Sequence, residues 1–200
     1  MMYRNEVMLS GYLVENFKFH HSIGTRIFEG KIEVERRSGT KDIIILQIPE
    51  KRLAETGDLQ EGDGIDVLGE MRTYRKIGDD SQPHDKNYVY VEEVKYSSYP
   101  YMENQVKLSG VIVRIGNLRR TPLGRKITDV IIAVESNNGY RYAYVPVVFW
   151  NEMAEEVSNY RIGDEIKIKG RFQSRDYIKK TGNKIELRTT YEVSAFKLIL

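Results

Sequence analysis

Flat aromatics and cations arranged on strands dominate the places where this chain could do chemistry. In the segment YAYVPVVFW, residues 142–150, Tyr144 and Trp150 stand six residues apart. That even spacing puts both on one face of a strand, with Val145, Val147 and Phe149 on the other. Tyr142 shares the parity of Tyr144. In RIGDEIKIKGRFQSRDY, residues 161–177, Ile162, Ile166, Ile168 and Phe172 form an apolar side. Lys167, Lys169, Arg171, Gln173 and Arg175 form the opposite side, which ends at Tyr177, and Gly170 permits a bend. Flat faces for bases beside cations for phosphates are what holding single-stranded nucleic acid without sequence preference requires.

The cations cluster. Arg119, Arg120, Arg125 and Lys126 lie in one loop, Arg171 and Arg175 on the strand face just described, and Lys179, Lys180 and Lys184 in a second loop. Isolated surface lysines serve solubility, but concentration in two loops and one strand face favours phosphate contact. The net charge of +2 conceals an asymmetry. Residues 1–100 carry 14 basic against 18 acidic side chains, a balance of −4, and residues 101–200 carry 17 against 11, a balance of +6. Only the second half would attract a polyanion.

Other chemistries find little support. With no cysteine, there are no disulfides, thiolate metal sites or cysteine nucleophiles. His20, His21 and His84 have no ligand spacing with carboxylates, and no Walker-type glycine motif or Ser/His/Asp arrangement can be assembled. The expectation is a binding protein rather than an enzyme, with no catalytic residues, metal or cofactor. No apolar run approaches the ~20 residues of a membrane span, and the N-terminus lacks the apolar run of a signal peptide. A cytoplasmic, nucleoid-associated location is expected.

These residues must be positioned by a repeated unit. Asn5-Glu6-Val7-Met8-Leu9-Ser10-Gly11 recurs as Asn104-Gln105-Val106-Lys107-Leu108-Ser109-Gly110, and EGDGIDVLGEMRTY (61–74) recurs as IGDEIKIKGRFQSR (162–175) at nearly the same separation. Each copy reads as five strands with a short helix between the third and fourth. In the first copy the strands are predicted at 7–14, 26–35, 42–48, 64–74 and 88–96, the helix at 50–55, and the His20-His21 pair in a loop. In the second they are predicted at 106–115, 127–134, 140–150, in the stretch 161–177 with Gly163-Asp164 as the turn into the strand, and at 185–196, with Asn151 capping a helix to about Tyr160. The fold class is therefore all-β with one short helix per domain: two tandem OB-folds, five-stranded Greek-key barrels, spanning residues 1–98 and 102–200. The first copy has no aromatic around its third strand, and Glu70 stands where the second has Arg171. It is expected to be an assembly or auxiliary module, and the second copy the main domain for binding single-stranded nucleic acid.

The second half also resembles the bacterial single-stranded DNA-binding protein family. The resemblance rests on Asn104, Val106, Leu108 and Gly110; Arg120-Thr121-Pro122 with Gly124; Ala133-Val134; Tyr144 through Trp150; Ala154-Glu155; Gly163-Asp164; Gly170-Arg171; Gln173 through Tyr177; and Tyr191-Glu192-Val193, in the family's order over about 90 residues. Primosomal replication protein N is a close alternative. The resemblance implies stacking on Tyr144, Trp150 and Tyr177, a role in DNA replication, repair and recombination, and a homodimer presenting four OB domains. It also implies an acidic C-terminal tail for recruiting replication or primosome proteins. This sequence ends in the apolar Ala195-Phe196-Lys197-Leu198-Ile199-Leu200, so tail-mediated recruitment is not expected. The competing function is a primosomal or other protein-interaction module with weak nucleic-acid binding.

Overall fold

In the computed structural model, which describes residues 5–77, 83–181 and 184–199, the alternating patterns become strands in the expected order. The first half forms β1 (Asn5–Ser22), β2 (Arg26–Glu35), β3 (Lys41–Pro49), α1 (Glu50–Ala54), β4 (Gly64–Ile77) and β5 (Pro83–Tyr96). The second forms β6 (Asn104–Ile115), β7 (Arg119–Arg120), β8 (Lys126–Glu135), β9 (Tyr142–Trp150), α2 (Glu152–Val157), β10 (Glu165–Thr181) and β11 (Lys184–Leu198). Each half closes on itself. The order β2-β3-β5-β4-β1 is completed by a β1–β2 pairing, and β6-β10-β11-β9-β8 by a β6–β8 pairing. The only parallel contacts among the described strands, β3 with β5 and β9 with β11, occupy equivalent places. Both halves are five-stranded OB-fold barrels, and two-residue β7 is an addition to the second.

Closure follows from which face each strand buries. Val7, Leu9, Ile32, Ile44, Leu46, Ile65, Met71 and Val89 fill one barrel, and Val106, Leu108, Ile132, Val145, Val147, Phe149, Ile166, Ile168 and Phe172 the other, each at most 3% exposed. Each such side chain contributes about 1.5–3 kcal/mol. Both barrels bend at the same point of the repeat. Bulges fall between Leu68 and Gly69 and between Lys169 and Gly170. A Cβ on Gly69 would lie 2.2 Å from the Tyr90 carbonyl oxygen, and one on Gly170 would lie 2.6 Å from Val193 Cγ1. Only glycine lets the partner strand approach this closely.

The same asparagine finishes both ladders past the bulge. Met71 N–H donates to Asn5 Oδ1 at 2.7 Å while Asn5 Nδ2 donates to the Met71 carbonyl at 2.9 Å. Phe172 N–H donates to Asn104 Oδ1 at 2.9 Å while Asn104 Nδ2 donates to the Phe172 carbonyl at 2.6 Å. The two strands carrying these asparagines then pair with each other. β1 and β6 run antiparallel from Asn5 opposite Leu108 to Leu9 opposite Asn104, with Val7 opposite Val106. The recurring segments thus join the barrels into one 11-stranded sheet and relate them by an approximate two-fold axis. Two further bonds obey that symmetry: Tyr144 N–H donates to Thr73 Oγ1, and Ile43 N–H to Ser174 Oγ, each at 2.9 Å.

Several local expectations are corrected. His20 and His21 belong to β1, which continues to Ser22 through three irregularities in its pairing with β2, rather than to a loop. Arg119 and Arg120 form β7 instead of open loop, and the third strand of the second half starts at Tyr142. Asn151 does not cap α2 with its side chain; its φ of 54° is left-handed, and the helix ends at Val157. Ile162 precedes β10 and is 67% exposed, because the turn through Gly163 breaks the alternation before the strand begins. Among the described residues no helix is long and apolar enough to cross a membrane.

The asparagine latch predicts that Asn104→Ala leaves the Phe172 N–H and carbonyl unpaired and costs about 2–4 kcal/mol of stability. Urea denaturation should show a lower midpoint with an unchanged slope. An unchanged midpoint would contradict the latch.

Candidate nucleic-acid interface

The outer side of β9 carries the aromatics as its parity requires. Tyr142 is 58% and Tyr144 47% exposed, and Trp150 is half-buried, while Ala143, Val145, Val147 and Phe149 face the core. From Tyr144 to Trp150 this face runs about 20 Å, at about 3.3 Å per residue. Trp150 is fixed at one end, its indole N–H donating to Ser194 Oγ at 3.1 Å. Ile127 pairs opposite Trp150, and its neighbour Lys126 pairs opposite Arg120, so the β7–β8 hairpin brings its cations to the Trp150 end. Arg119, Arg120 and Arg125 are exposed there. Arg119 pairs with Asp129 and Lys126 with Glu155, which holds both side chains close to the sheet.

Midway along β9, Pro146 borders a groove of about 840 Å³ between the barrels, lined also by Tyr177, Arg188, Thr189 and Tyr191 from the same half and by Glu29, Lys31, Ile45, His84 and Lys86 from the other. Tyr177, 38% exposed, lines this groove together with Pro146, which stands on β9 between Tyr144 and Trp150. Burial raises the pKa of the Tyr191 hydroxyl, and the charges of Asp176 and Glu29 add to the effect, so it stays a neutral hydrogen-bonding group. Sequence reasoning missed Thr73 and this two-sided groove. Each depends on how the halves face one another, and Tyr191 was visible only as part of a family pattern.

Residues 103–199 match the family model described as single-strand binding protein family. The chain is similar to a single-stranded DNA-binding protein of Streptococcus mutans, 33% identical over 90 residues, covering 42% of this chain and 55% of the relative. It is also similar to one of Deinococcus radiodurans, 32% identical over 88 residues, covering 40% of this chain and 29% of the relative. The chain thus spans about half or less of the length of these two curated relatives. The wild-type single-stranded DNA-binding protein of Thermus aquaticus has the same fold, with a TM-score of 0.74 at 24% identity over 98% of this chain and 91% of that one. That coverage includes both barrels.

Within the second barrel, not every predicted cation lies on open surface. Arg175 is exposed, with Glu192 at 3.8 Å from its Nε. Arg171 is half-buried and Gln173 only 7% exposed, because β10 packs against β3 of the first barrel instead of presenting that face to solvent. The side chains of Lys179, Lys180 and Lys184 lie outside the described residues.

The first barrel treats the equivalent face differently. Ile43, Ile45 and Gln47 occupy the positions of Tyr144, Pro146 and Val148; Ile45 is 3% and Gln47 1% exposed. Gln47 Nε2 donates to Glu29 Oε2 at 2.8 Å. Tyr74 packs on Tyr88 with ring centroids 5.4 Å apart, and His20 lies against Tyr74 at 5.9 Å. Burial pushes the Tyr74 hydroxyl up to about 12. The Arg72 guanidinium covers the Tyr90 ring at 3.3 Å. These aromatics are engaged by their own barrel, unlike Tyr144.

His20 and His21 are joined by a hydrogen bond of 2.7 Å between their Nδ1 atoms, which requires a proton on one and a lone pair on the other. Burial first, then the charge of His20, holds the His21 pKa below the usual 6.5. The unfolded chain therefore binds more protons on His21, and this contribution to stability, complete above about pH 6.5, is lost as pH falls through the lower folded value. NMR titration should find His21 below 6.5 in the folded protein; a value at or above 6.5 would contradict the paired geometry.

Proposed function

We propose that this chain binds single-stranded DNA without strong sequence preference, with bases stacked on Tyr144, Trp150 and Tyr177, Tyr142 alongside, and phosphates met by Arg119, Arg120, Arg125, Lys126 and Arg175. Lys179, Lys180 and Lys184 are further candidates for phosphate contact. The observation that carries the proposal is the outer face of β9. Two exposed tyrosines and a fixed tryptophan lie on it, with a basic hairpin at the Trp150 end and Tyr177 in the groove that Pro146 borders. Stacking depends on the π-face every base possesses, which makes binding tolerant of sequence.

The second barrel is the main DNA-binding domain in this reading, and the first an assembly and auxiliary module, supported by the covered face around Gln47, Tyr74 and Tyr88. Single-stranded DNA is the partner, in replication, repair or recombination. A homodimer would present four barrels to one strand.

Trp150 is the only tryptophan and reports directly. Titration with oligo-dT should quench its fluorescence, with log affinity falling against log salt at about 0.7 per phosphate contacted. Tyr144→Ala should weaken binding by about 1–3 kcal/mol, the worth of one stacked base. Absence of both quenching and binding in a label-based assay would remove the proposal.

A further inference from the structure

The approximate two-fold axis creates two related seams where β4 or β10 of one barrel meets the other, and they are finished in opposite ways. Glu70 and Arg171 are equivalent, each following the bulge glycine of its barrel. Glu70 is 1% exposed and fully engaged: Arg72 Nε donates to Oε1 at 2.7 Å, and Asn137 N–H donates to Oε2 at 2.6 Å across the seam. That seam neutralises itself. At the other seam Arg171 presents a buried Nε with no hydrogen-bond partner among the described residues.

The nearest groups do not supply one. Asp42, 0% exposed, is consumed by Arg36, whose Nη2 and Nε donate to its two oxygens at 2.5 and 2.8 Å, and by Ser174 N–H at 3.2 Å. Two guanidiniums thus meet across the seam with one carboxylate already taken. The Arg171 pKa is lowered by burial and then by the charge of Arg36, with Asp42 opposing, while Asp42 and Glu192 raise that of Arg36; Glu35 and Glu103 are the other carboxylates lining this groove. The groove measures about 940 Å³. Arg37 and Ser38 of the β2–β3 turn line it on one side, and the 56% exposed ring of Phe196 and the 87% exposed ring of Tyr101 on the other. Through Arg36 it joins a second groove lined by Lys41, Arg175 and Tyr191, which shares Lys31, Thr189 and Tyr191 with the groove at Tyr177.

The geometry points to a phosphate-binding seat at this seam, formed by Arg171 of the second barrel with Arg36 and Arg37 of the first. The inference rests on the proposed single-strand function in one respect: a strand leaving Tyr177 would reach the seat along the connected grooves. The shared chemistry is the phosphate group, delivered by the strand backbone or by a free polyphosphate. In either case the first barrel takes part in binding through its β2–β3 turn, away from the face covered by Tyr74 and Gln47.

The test uses the full chain and Arg171→Met, which keeps the apolar stem and removes the charge, while Asp42 retains Arg36. Two measurements are made: the salt slope of oligo-dT binding, and thermal stabilisation by tripolyphosphate at low salt. A slope smaller by about 0.7, with Trp150 still quenched, assigns the seat to a strand phosphate. Loss of tripolyphosphate stabilisation with an unchanged slope assigns it to free polyphosphate. A variant that keeps both the slope and the tripolyphosphate response overturns the seat, whatever its own stability. Failure of the single-strand function itself would appear separately, as absent quenching in the unaltered protein.

Discussion

The rest of the structure depends on one antiparallel pairing, β1 with β6. Five residue pairs, Asn5 with Leu108 through Leu9 with Asn104, join two barrels that are each already closed. Because the paired segments are the recurring ones, the pairing generates an approximate two-fold axis, and several contacts between the barrels occur in two related versions. The bonds of Tyr144 to Thr73 and Ile43 to Ser174 are one such pair. The seams of Glu70 and Arg171 are another. Symmetry builds the frame, and substitution at equivalent positions divides its functions.

That division is physical. At four outward positions of the third strand, one barrel has Tyr144, Pro146, Val148 and Trp150, and the other Ile43, Ile45, Gln47 and Pro49. The first set leaves aromatic rings accessible, with bonds to Thr73 and Ser194 holding the backbone or ring in place. The second is closed over by Glu29. A pre-positioned ring loses little freedom when a base stacks on it, so stacking retains most of its worth.

Much of this was legible in the sequence. Period-two alternation placed Ile166, Ile168 and Phe172 inward and Tyr144 outward, and the repeat gave two barrels and their strand order. The losses came where local pattern and tertiary contact disagree. The run from Lys167 to Arg175 looks like one solvated face, yet Arg171 and Gln173 on it are covered by the first barrel, a neighbour that period two cannot reveal. His20 and His21 resemble loop residues because pairing irregularities in β1 disrupt the alternation. Asn151 has the chemistry of a cap but adopts a left-handed φ that turns the chain from β9 into α2. The interbarrel grooves were invisible because half of each wall comes from the other repeat.

The central claim is that bases stack along the outer face of β9 and continue to Tyr177. Photocrosslinking with an oligo-dT carrying single 5-iodouracil substitutions, followed by peptide mapping of the adducts, tests it most directly. The account predicts adducts at Tyr144, Trp150 and Tyr177. Adducts confined to Tyr74, Tyr88 or Tyr90 of the first barrel, with none on β9, would contradict it.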